Sequence, residues 1–265
     1  MIDLHSHILP GLDDGAPDLA SALAMARIAV RDGIRHCVCT PHIVPGLHPN
    51  TGLRISARLA LFREVLNRAE IPLKLSLGAE IHLTPDLVGG LHNRVLPCLG
   101  RGSAFLLELP SAALPPRVIG FIAGLQAAGY RPVIAHPERL RWIEARADLL
   151  LALQKQGAVM QITAGSLLGR FGSRARYWSE YMLDHGLVDV IATDAHDEQR
   201  RPPLLSAACD RAALWVGEAA AHDMVHGTPA ALIAPRTEAA IDPRRGVTAF
   251  LPAGGQLSPA AGDRV

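Results

Sequence analysis

Residues 116–136, PRVIGFIAGLQAAGYRPVIAH, join an apolar helical segment to a short strand-like run. Pro116 suits the first turn of a helix, because its fixed φ matches the helix and an N–H group would lack a partner there. Gly129 follows the helical residues, at a place where a left-handed conformation commonly ends a helix. Residues 132–135 are short and apolar, and they predict a buried strand that ends at His136. The stretch is typical of one helix-to-strand unit of a parallel sheet.

The same order of helix, glycine and strand recurs along much of the chain. Predicted helices cover residues 18–32, 54–69, 116–128, 144–156 and 175–185, and the glycines at helix ends are Gly33, Gly129, Gly157 and Gly186. Predicted strands cover residues 2–4, 34–40, 73–79, 105–109, 132–135, 158–163 and 188–193. This alternation indicates right-handed parallel β/α units. Since a β/α barrel commonly needs about 250 residues, we expect an α/β protein with a seven-stranded (β/α)7 barrel rather than an open sheet.

The composition of the chain changes after about Pro235. Residues 241–265 are rich in Gly, Pro and Ala with scattered charges, which is typical of a loosely held tail. We therefore predict one domain over residues 1–235 and a loosely ordered C-terminal tail over residues 236–265.

Composition and charge exclude several classes of protein. The chain has 265 residues, 19% of them charged, and a formal net charge of +1. There is no broad basic field, so we expect no nucleic-acid partner. No apolar run reaches the roughly 18 residues of a membrane span, so no membrane insertion is expected. The N-terminus lacks the apolar core of a secretory signal, and a cytoplasmic location follows as the default.

Histidines and acids stand where the predicted strands end. They are His5, His7, His42, Glu80, Glu108, His136, Asp194 and His196. In a parallel β/α barrel these carboxyl ends meet on one face, where barrel enzymes place their chemistry. His5 and His7 are two residues apart, so both imidazoles can point to the same side of an extended segment. Asp194 and His196 repeat this spacing, whereas the strand at 158–163 ends without a histidine or an acid.

A mixed set of imidazole and carboxylate ligands favours manganese, iron or zinc over magnesium or calcium. Two or three ions would need a bridging carboxylate, for which Glu80 is the candidate. Clustered ions can lower the pKa of a shared water molecule and clamp the oxygens of a phosphoryl group. The remaining histidines are more simply structural or surface residues: His36, His48, His82, His92, His185, His222 and His226.

Residues 3–15, DLHSHILPGLDDG, resemble the PHP (polymerase and histidinol phosphatase) superfamily. More closely, they resemble its bacterial protein-tyrosine-phosphatase branch, which is linked to capsule and exopolysaccharide synthesis. The resemblance extends over about residues 1–233, and further matching motifs are Thr40-Pro41-His42, Gly78-Ala79-Glu80, His136-Pro137-Glu138-Arg139, Thr193-Asp194-Ala195-His196 and Arg201-Pro202.

The resemblance implies a distorted, TIM-like seven-stranded barrel with three metal ions. Carried over to this sequence, it implies three ligand sets: His5, His7, Glu80 and Asp194; Glu80, Glu108 and His136; and Asp14, His42 and His196. Asp14 enters only through the resemblance, because the Asp13-Asp14-Gly15 sequence alone would predict a plain turn. The resemblance also implies that Arg139 and Arg201 hold phosphate, since a guanidinium group matches phosphate oxygens bidentately. Arg200 is an alternative to its neighbour Arg201.

The function implied is hydrolysis of protein phosphotyrosine by attack of a metal-bound hydroxide. The resemblance suggests that the substrate is the C-terminal tail of a bacterial tyrosine autokinase that regulates capsular or exopolysaccharide synthesis. A small-molecule phosphatase, such as one acting on histidinol phosphate, and a non-catalytic binding module are the alternatives. A thiol nucleophile is disfavoured, because cysteine phosphatases carry an Arg six positions after the Cys. Those positions here hold other residues, namely Ile43, Pro45, Ala104 and Trp215.

Overall fold

The structure, a computed structural model, describes residues 1–235, so the predicted tail at 236–265 lies outside the described residues. All ladders between its strands are parallel. The strands are β1 (Ile2–Ser6), β2 (His36–Cys39), β3 (His42–Ile43), β4 (Lys74–Leu77), β5 (Glu80–His82), β6 (Ala104–Glu108), β7 (Arg131–Ala135), β8 (Val159–Thr163) and β9 (Val190–Ala192). They form a three-stranded sheet of order β1-β2-β4 and a six-stranded sheet of order β3-β5-β6-β7-β8-β9.

Two of the seven predicted strands are broken, and this accounts for the nine segments. The strand predicted at 34–40 becomes β2 and β3, separated at Pro41, which has no N–H group to donate to a ladder. The strand predicted at 73–79 becomes β4 and β5, separated at Gly78. A Cβ atom on Gly78 would lie 2.7 Å from Val38 Cγ1, so only glycine allows this approach. The parallel α/β fold is confirmed, whereas a closed seven-stranded barrel is not, because the ladders form separate sheets of three and six strands.

Helices follow the strands, and they include the five that the sequence predicts together with others that it does not. They are α1 (Leu19–Arg31), α2 (Gly52–Arg68), α3 (Leu87–His92), α4 (Val118–Ala127), α5 (Asp148–Lys155), α6 (Ala164–Leu167), α7 (Gly172–Asp184), α8 (Ser206–Val216), α9 (Glu218–Val225) and α10 (Gly227–Ile233). The four predicted helix-terminal glycines all have positive φ, from 63° at Gly186 to 93° at Gly33. Within residues 1–235, no helix combines the length and apolar character that spanning a bilayer requires.

The two faces of the strands carry two separate clusters of buried apolar side chains. On β6, Phe105 and Leu107 pack in the larger cluster, which includes the buried faces of the helices. Ala104 and Leu106 alternate with them and pack in a smaller cluster built mainly from strand residues. Leu232 of α10 completes the smaller cluster. Because both faces are filled with apolar side chains, the polar side chains are left at the strand ends.

Candidate metal centre

Four buried side chains from three parts of the chain meet at the carboxyl end of β1. His5 Nε2 lies 3.1 Å from Glu80 Oε2 and 3.3 Å from Asp194 Oδ1. His7 Nε2 lies 3.3 Å and 3.5 Å from the same two oxygens. One potential ligand atom from each of the four residues lies within 4.8 Å of the others. The first ligand set implied by the resemblance is therefore brought together in space.

A second group lies beside the first and shares His7 with it. Asp14 Oδ1 is 3.6 Å from His42 Nε2 and 3.5 Å from His196 Nε2. His7 lies within reach of all three, so the group has one more member than the sequence predicted. Asp14 is its exposed member, with 56% of its side chain accessible, whereas His196 is buried. This group therefore faces solvent on the side of Asp14.

The third group differs in membership from the predicted one. His42, Glu80 and Glu108 lie close together, and His42 Nδ1 is 3.2 Å from Glu80 Oε2. His136, which was expected in this set, contacts the other oxygen of Glu80, with Nε2 2.8 Å from Oε1. Glu108 Oε2 lies 3.1 Å from Nδ1 of His82, a residue for which the sequence predicts only a structural or surface role. The nine predicted residues thus form one cluster that includes Glu80, but their grouping differs.

The buried carboxylates of the cluster favour positively charged groups beside them. Burial alone would raise the pKa of Glu80, but His5 and His136 hold it well below its ordinary value. Burial opposes a proton on His7, yet Asp13 and Glu80 raise its pKa to about 10. Buried carboxylates need such compensation, because an unpaired charge is costly away from water.

These residues fit divalent metal ions by the chemistry of their donor atoms. Imidazole nitrogens from several strands lie close to the same oxygens of Glu80 and Asp194. Carboxylates placed in this way can act as bridging ligands. His42 Nδ1 is buried and has no hydrogen-bond partner, although it faces Glu80 Oε2. His42 and Glu80 would be able to hold a divalent ion together.

Two supporting residues were missed by the sequence analysis. Asp13 Oδ2 lies 2.6 Å from His7 Nδ1 and accepts the backbone N–H of His42 at 2.7 Å. Gln161 Oε1 lies 2.9 Å from His5 Nδ1. Such contacts fix the ring orientation of a histidine ligand. Gln161 belongs to β8, the strand without a histidine or an acid at its end, so this strand contacts a candidate ligand instead of supplying one.

Two of the nine residues have an unusual backbone conformation. His136 has φ 35° and Asp194 has φ 52°, directly after β7 and two residues after β9. Residues other than glycine rarely adopt positive φ, and the cost is of order 1–3 kcal/mol each. Such strain is concentrated at functional sites in proteins. The positive φ of these two residues directs both side chains toward Glu80 at the strand ends.

The two predicted phosphate-binding arginines meet on one carboxylate oxygen. Arg139 Nη1 and Arg201 Nη2 donate to Asp194 Oδ2 at 2.8 Å and 2.6 Å. Their guanidinium carbons lie 4.8 Å and 5.4 Å from the ring centroid of Phe171, which the sequence analysis did not identify. Arg200 is exposed, so Arg201 is the member of the pair that reaches the centre. Arg201 Nε is buried without a hydrogen-bond partner.

A parallel α/β sheet with imidazole and carboxylate groups gathered at its strand ends is the architecture of metal-dependent hydrolases. The sequence profile of the family described as "Capsular polysaccharide synthesis, CpsB/CapC" matches residues 1–234. The chain belongs to this family, which agrees with the resemblance to the tyrosine-phosphatase branch of the PHP superfamily.

Curated relatives of the chain are tyrosine phosphatases. It is 39% identical over 201 residues to the tyrosine-protein phosphatase YwqE of Bacillus subtilis, covering 76% of this chain and 79% of that protein. It is 36% identical over 208 residues to the putative tyrosine-protein phosphatase CapC of Staphylococcus aureus, covering 77% and 80%. The tyrosine-protein phosphatase CpsB of Streptococcus pneumoniae is 28% identical over 238 residues, covering 88% and 98%.

Solved structures agree with these relationships. A crystal structure from a study of YwqE and CpsB, described as unique metal-dependent tyrosine phosphatases, superposes with a TM-score of 0.85 at 34% identity, covering 89% of this chain and 96% of that one. A histidinol phosphate phosphatase from Lactococcus lactis superposes with a TM-score of 0.53 at 11% identity, covering 83% and 94%. The second match supports the fold alone.

Proposed function

We propose that this protein is a metal-dependent phosphatase that hydrolyses phosphotyrosine in proteins. The observation that carries the proposal is the gathering of nine histidine and acid side chains, Glu80 among them, in one cluster of overlapping groups. The curated relatives, which are tyrosine-protein phosphatases, support the substrate class.

The metal ligands in this proposal are the nine residues that the sequence analysis selected. They are His5, His7, Asp14, His42, Glu80, Glu108, His136, Asp194 and His196. Three overlapping groups suggest two or three ions, and the mixed donors favour manganese, with iron or zinc as alternatives. When bound, such ions activate water and neutralise the oxygens of a phosphoryl group.

Arg139 and Arg201 bind the substrate phosphate in this proposal. Each uses one donor on Asp194 Oδ2, and a guanidinium group has five N–H donors, so others remain for phosphate oxygens. Asp194 keeps both cations beside the ligands while offering Oδ1 to the histidines. The arginines thereby stabilise the negative charge that spreads over the phosphoryl oxygens in the transition state.

The proposed substrate is a phosphotyrosine protein of capsular or exopolysaccharide synthesis. The family description supports that process. The C-terminal tail of a tyrosine autokinase is the partner that we propose from the family resemblance.

We also propose that the two sheets are parts of one distorted seven-stranded barrel. Support comes from contacts between the end of β1 and the residues after β9, where His7 N donates to Ala195 O at 2.8 Å and Asp194 N donates to His5 O at 2.8 Å. Such a closure would bring the ends of all the strands to one face, where the nine residues are found.

The proposal is tested by measuring metal content and turnover of a phosphotyrosine peptide before and after chelation. Histidinol phosphate is assayed in parallel, since the same ligands would serve a small-molecule phosphatase. We expect chelation to abolish peptide turnover and manganese to restore it. Turnover of histidinol phosphate alone would favour the small-molecule alternative, and metal binding without turnover of either substrate would favour a binding module.

A further inference from the structure

A small cavity opens beside Arg201, and its polar lining consists of Arg201, Arg170, Arg200 and Thr193. Its volume is about 220 Å³, and its apolar walls come from Leu168, Phe171, Pro202 and Leu204. Pockets for drug-sized ligands are larger, about 300–1,000 Å³. The cavity therefore suits a single ring better than a large ligand.

The cavity and the metal centre share a wall. Thr193 and Arg201 line the cavity, and Asp194 follows Thr193 directly in the chain. Arg201 donates to Asp194 Oδ2, so one guanidinium group faces both the centre and the cavity. An organic group attached to a phosphate bound by Arg201 would therefore lie close enough to the cavity to enter it.

The Phe171 ring packs closely against Gly165, which also lines the cavity. A Cβ atom on Gly165 would lie 2.8 Å from Phe171 Cε2, so the absence of a side chain there lets the ring pack against the backbone. The ring in turn supports the guanidinium groups of Arg139 and Arg201 by cation–π contacts. Phe171 therefore joins the phosphate-binding arginines to the apolar wall.

We propose that this cavity is the subsite for the aromatic ring of the substrate phosphotyrosine. The inference rests on the proposed phosphatase function and adds a reason for a preference for aryl phosphates. The ring would pack against Phe171 and the side chains of Leu168 and Leu204, while its phosphate contacts Arg139 and Arg201. Aromatic and aliphatic walls favour a ring, because aromatic pairs gain from offset or edge-to-face contact beyond simple burial.

The test fills the cavity without changing a phosphate-binding residue. In the full-length protein supplied with manganese, Leu204→Trp is compared with wild type for phosphotyrosine-peptide turnover, competitive inhibition by inorganic phosphate, and metal content. We expect the KM for the peptide to rise by about tenfold, the size of a lost aromatic contact. The inhibition constant of phosphate and the metal content should stay within about twofold, because inorganic phosphate has no ring.

Leu61→Trp is the matched control. Leu61 lines a separate cavity of about 310 Å³ beside α2 and is 60% exposed. It should leave all three measurements unchanged. If Leu204→Trp does not fold, Leu168→Phe repeats the test from another wall.

Two results would overturn the ring subsite: an unchanged KM for the peptide, or equal weakening of peptide and inorganic phosphate. The second would mean that the cavity acts only through the arginines. Failure of the proposed function has a different signature, since the wild-type protein with manganese bound would then not hydrolyse the phosphotyrosine peptide at all.

Discussion

Glu80 is the carboxylate on which the histidines of the centre converge. Its two oxygens contact the ring nitrogens of His5, His7, His42 and His136 at 2.8–3.3 Å, and its side chain is 1% exposed. No other acid among the nine residues contacts so many of the histidines. These contacts make Glu80 the residue to which the proposed bridging role belongs.

Glu80→Gln should remove metal and activity together. The amide keeps the size of the side chain but loses the charge that bridging requires. We expect turnover to fall by more than about a hundredfold, beyond the cost of a lost supporting contact, with a matching fall in bound metal. Elemental analysis beside steady-state kinetics measures both, and Glu64→Gln on the exposed side of α2 is the control. Full metal content in the variant would contradict the bridging role.

Arg139→Ala and Arg201→Ala should separate activity from metal binding. A guanidinium group offers only donors and cannot bind a cation, so metal content should stay nearly intact. Loss of a donor to the transition state should lower turnover by roughly thirty- to a thousandfold. Arg→Lys should restore it only in part, because the bidentate geometry is lost. Arg141→Ala, at an exposed residue, is the control, and near-normal turnover in the first two variants would refute the assignment.

The sequence indicates the ligands better than it indicates their supports. The candidate ligands can be predicted because the strand ends bring them together whatever the exact packing of the side chains. Asp13, Gln161 and Phe171 act through side-chain contacts, and these depend on how distant segments pack. The same limit left Arg200 and Arg201 unresolved and placed Glu108 with His136 instead of with His82.

The loop after β1 carries Asp13 and Asp14, and it folds back closely on His7. A Cβ atom on Gly15 would overlap both the carbonyl oxygen and the Cβ atom of His7. Ala16 N donates to His7 O at 3.1 Å, which closes the loop against the strand end. Gly15 does not have a positive φ, so backbone conformation is not what requires a glycine here. A glycine is needed because the two backbones approach closely and leave no space for a Cβ atom.

Gly15→Ala should therefore displace the loop and weaken metal binding. We expect the free energy of unfolding to fall by about 1–3 kcal/mol, as for overpacking elsewhere, and the metal affinity to fall with it. Gly120→Ala in α4 is a matched control, because no atom lies within 4 Å of a Cβ there. That change should be neutral or slightly stabilising. Chemical denaturation and metal titration measure the effects, and unchanged values for Gly15→Ala would show that the loop can move freely.

His36 on β2 makes the pairing of β2 with β4 sensitive to pH. Burial, together with Lys74 and Arg63, lowers its pKa from an ordinary value of 6.5 to about 4. Its Nε2 lies 2.7 Å from Ser76 Oγ. Because the unfolded chain takes up this proton first, the contribution to stability is present above pH 6.5 and is lost as the pH falls toward 4.

His36→Gln should flatten the pH dependence of unfolding in that range. The side chain is half-buried, so solvent screening reduces the effect to about 1–2 kcal/mol. Denaturant unfolding of the chelated protein between pH 4 and 7 measures it, and chelation removes the separate titration of the metal centre. His92→Gln, at an exposed residue, is the control. Identical slopes for wild type and His36→Gln would contradict the assignment.

Each helix and strand that periodicity predicts is present in the fold. Periodicity does not predict elements that depend on contacts between residues far apart in the sequence. Helix α8 has no side-chain cap of its own at Leu205. Instead, Asp32 Oδ2, at the end of α1, accepts the N–H groups of Leu205 and Ser206. A cap supplied from 173 positions away leaves no local signal in the sequence. The two-residue β3 likewise forms its ladder with β5, which is distant in the sequence.

Across the molecule, the metal centre connects the two sheets. His5 lies in β1 of the three-stranded sheet, and Glu80 lies in β5 of the six-stranded sheet. Asp194, after β9, contacts His5 through both its side chain and its backbone. Ions bound among these groups would therefore hold the two sheets together as well as supply the chemistry.

Removing metal should lower the thermal stability of the whole domain. A ligand present at 100 times its Kd stabilises the folded state by about 2.7 kcal/mol. For a domain of this size, 1 kcal/mol shifts Tm by about 2–4 °C, so chelation should lower Tm by roughly 5–10 °C. Removal also leaves Glu80 and Asp194 buried with only protons and arginines as compensation, which adds to the loss.

Calorimetry with and without chelator measures the shift, and restored manganese should reverse it. In Glu80→Gln, whose bridging charge is gone, the same chelator should change Tm little. An equal shift in both proteins would place the stabilising ion elsewhere, and no shift in verified metal-free wild type would mean that contacts between the sheets hold the domain together without it.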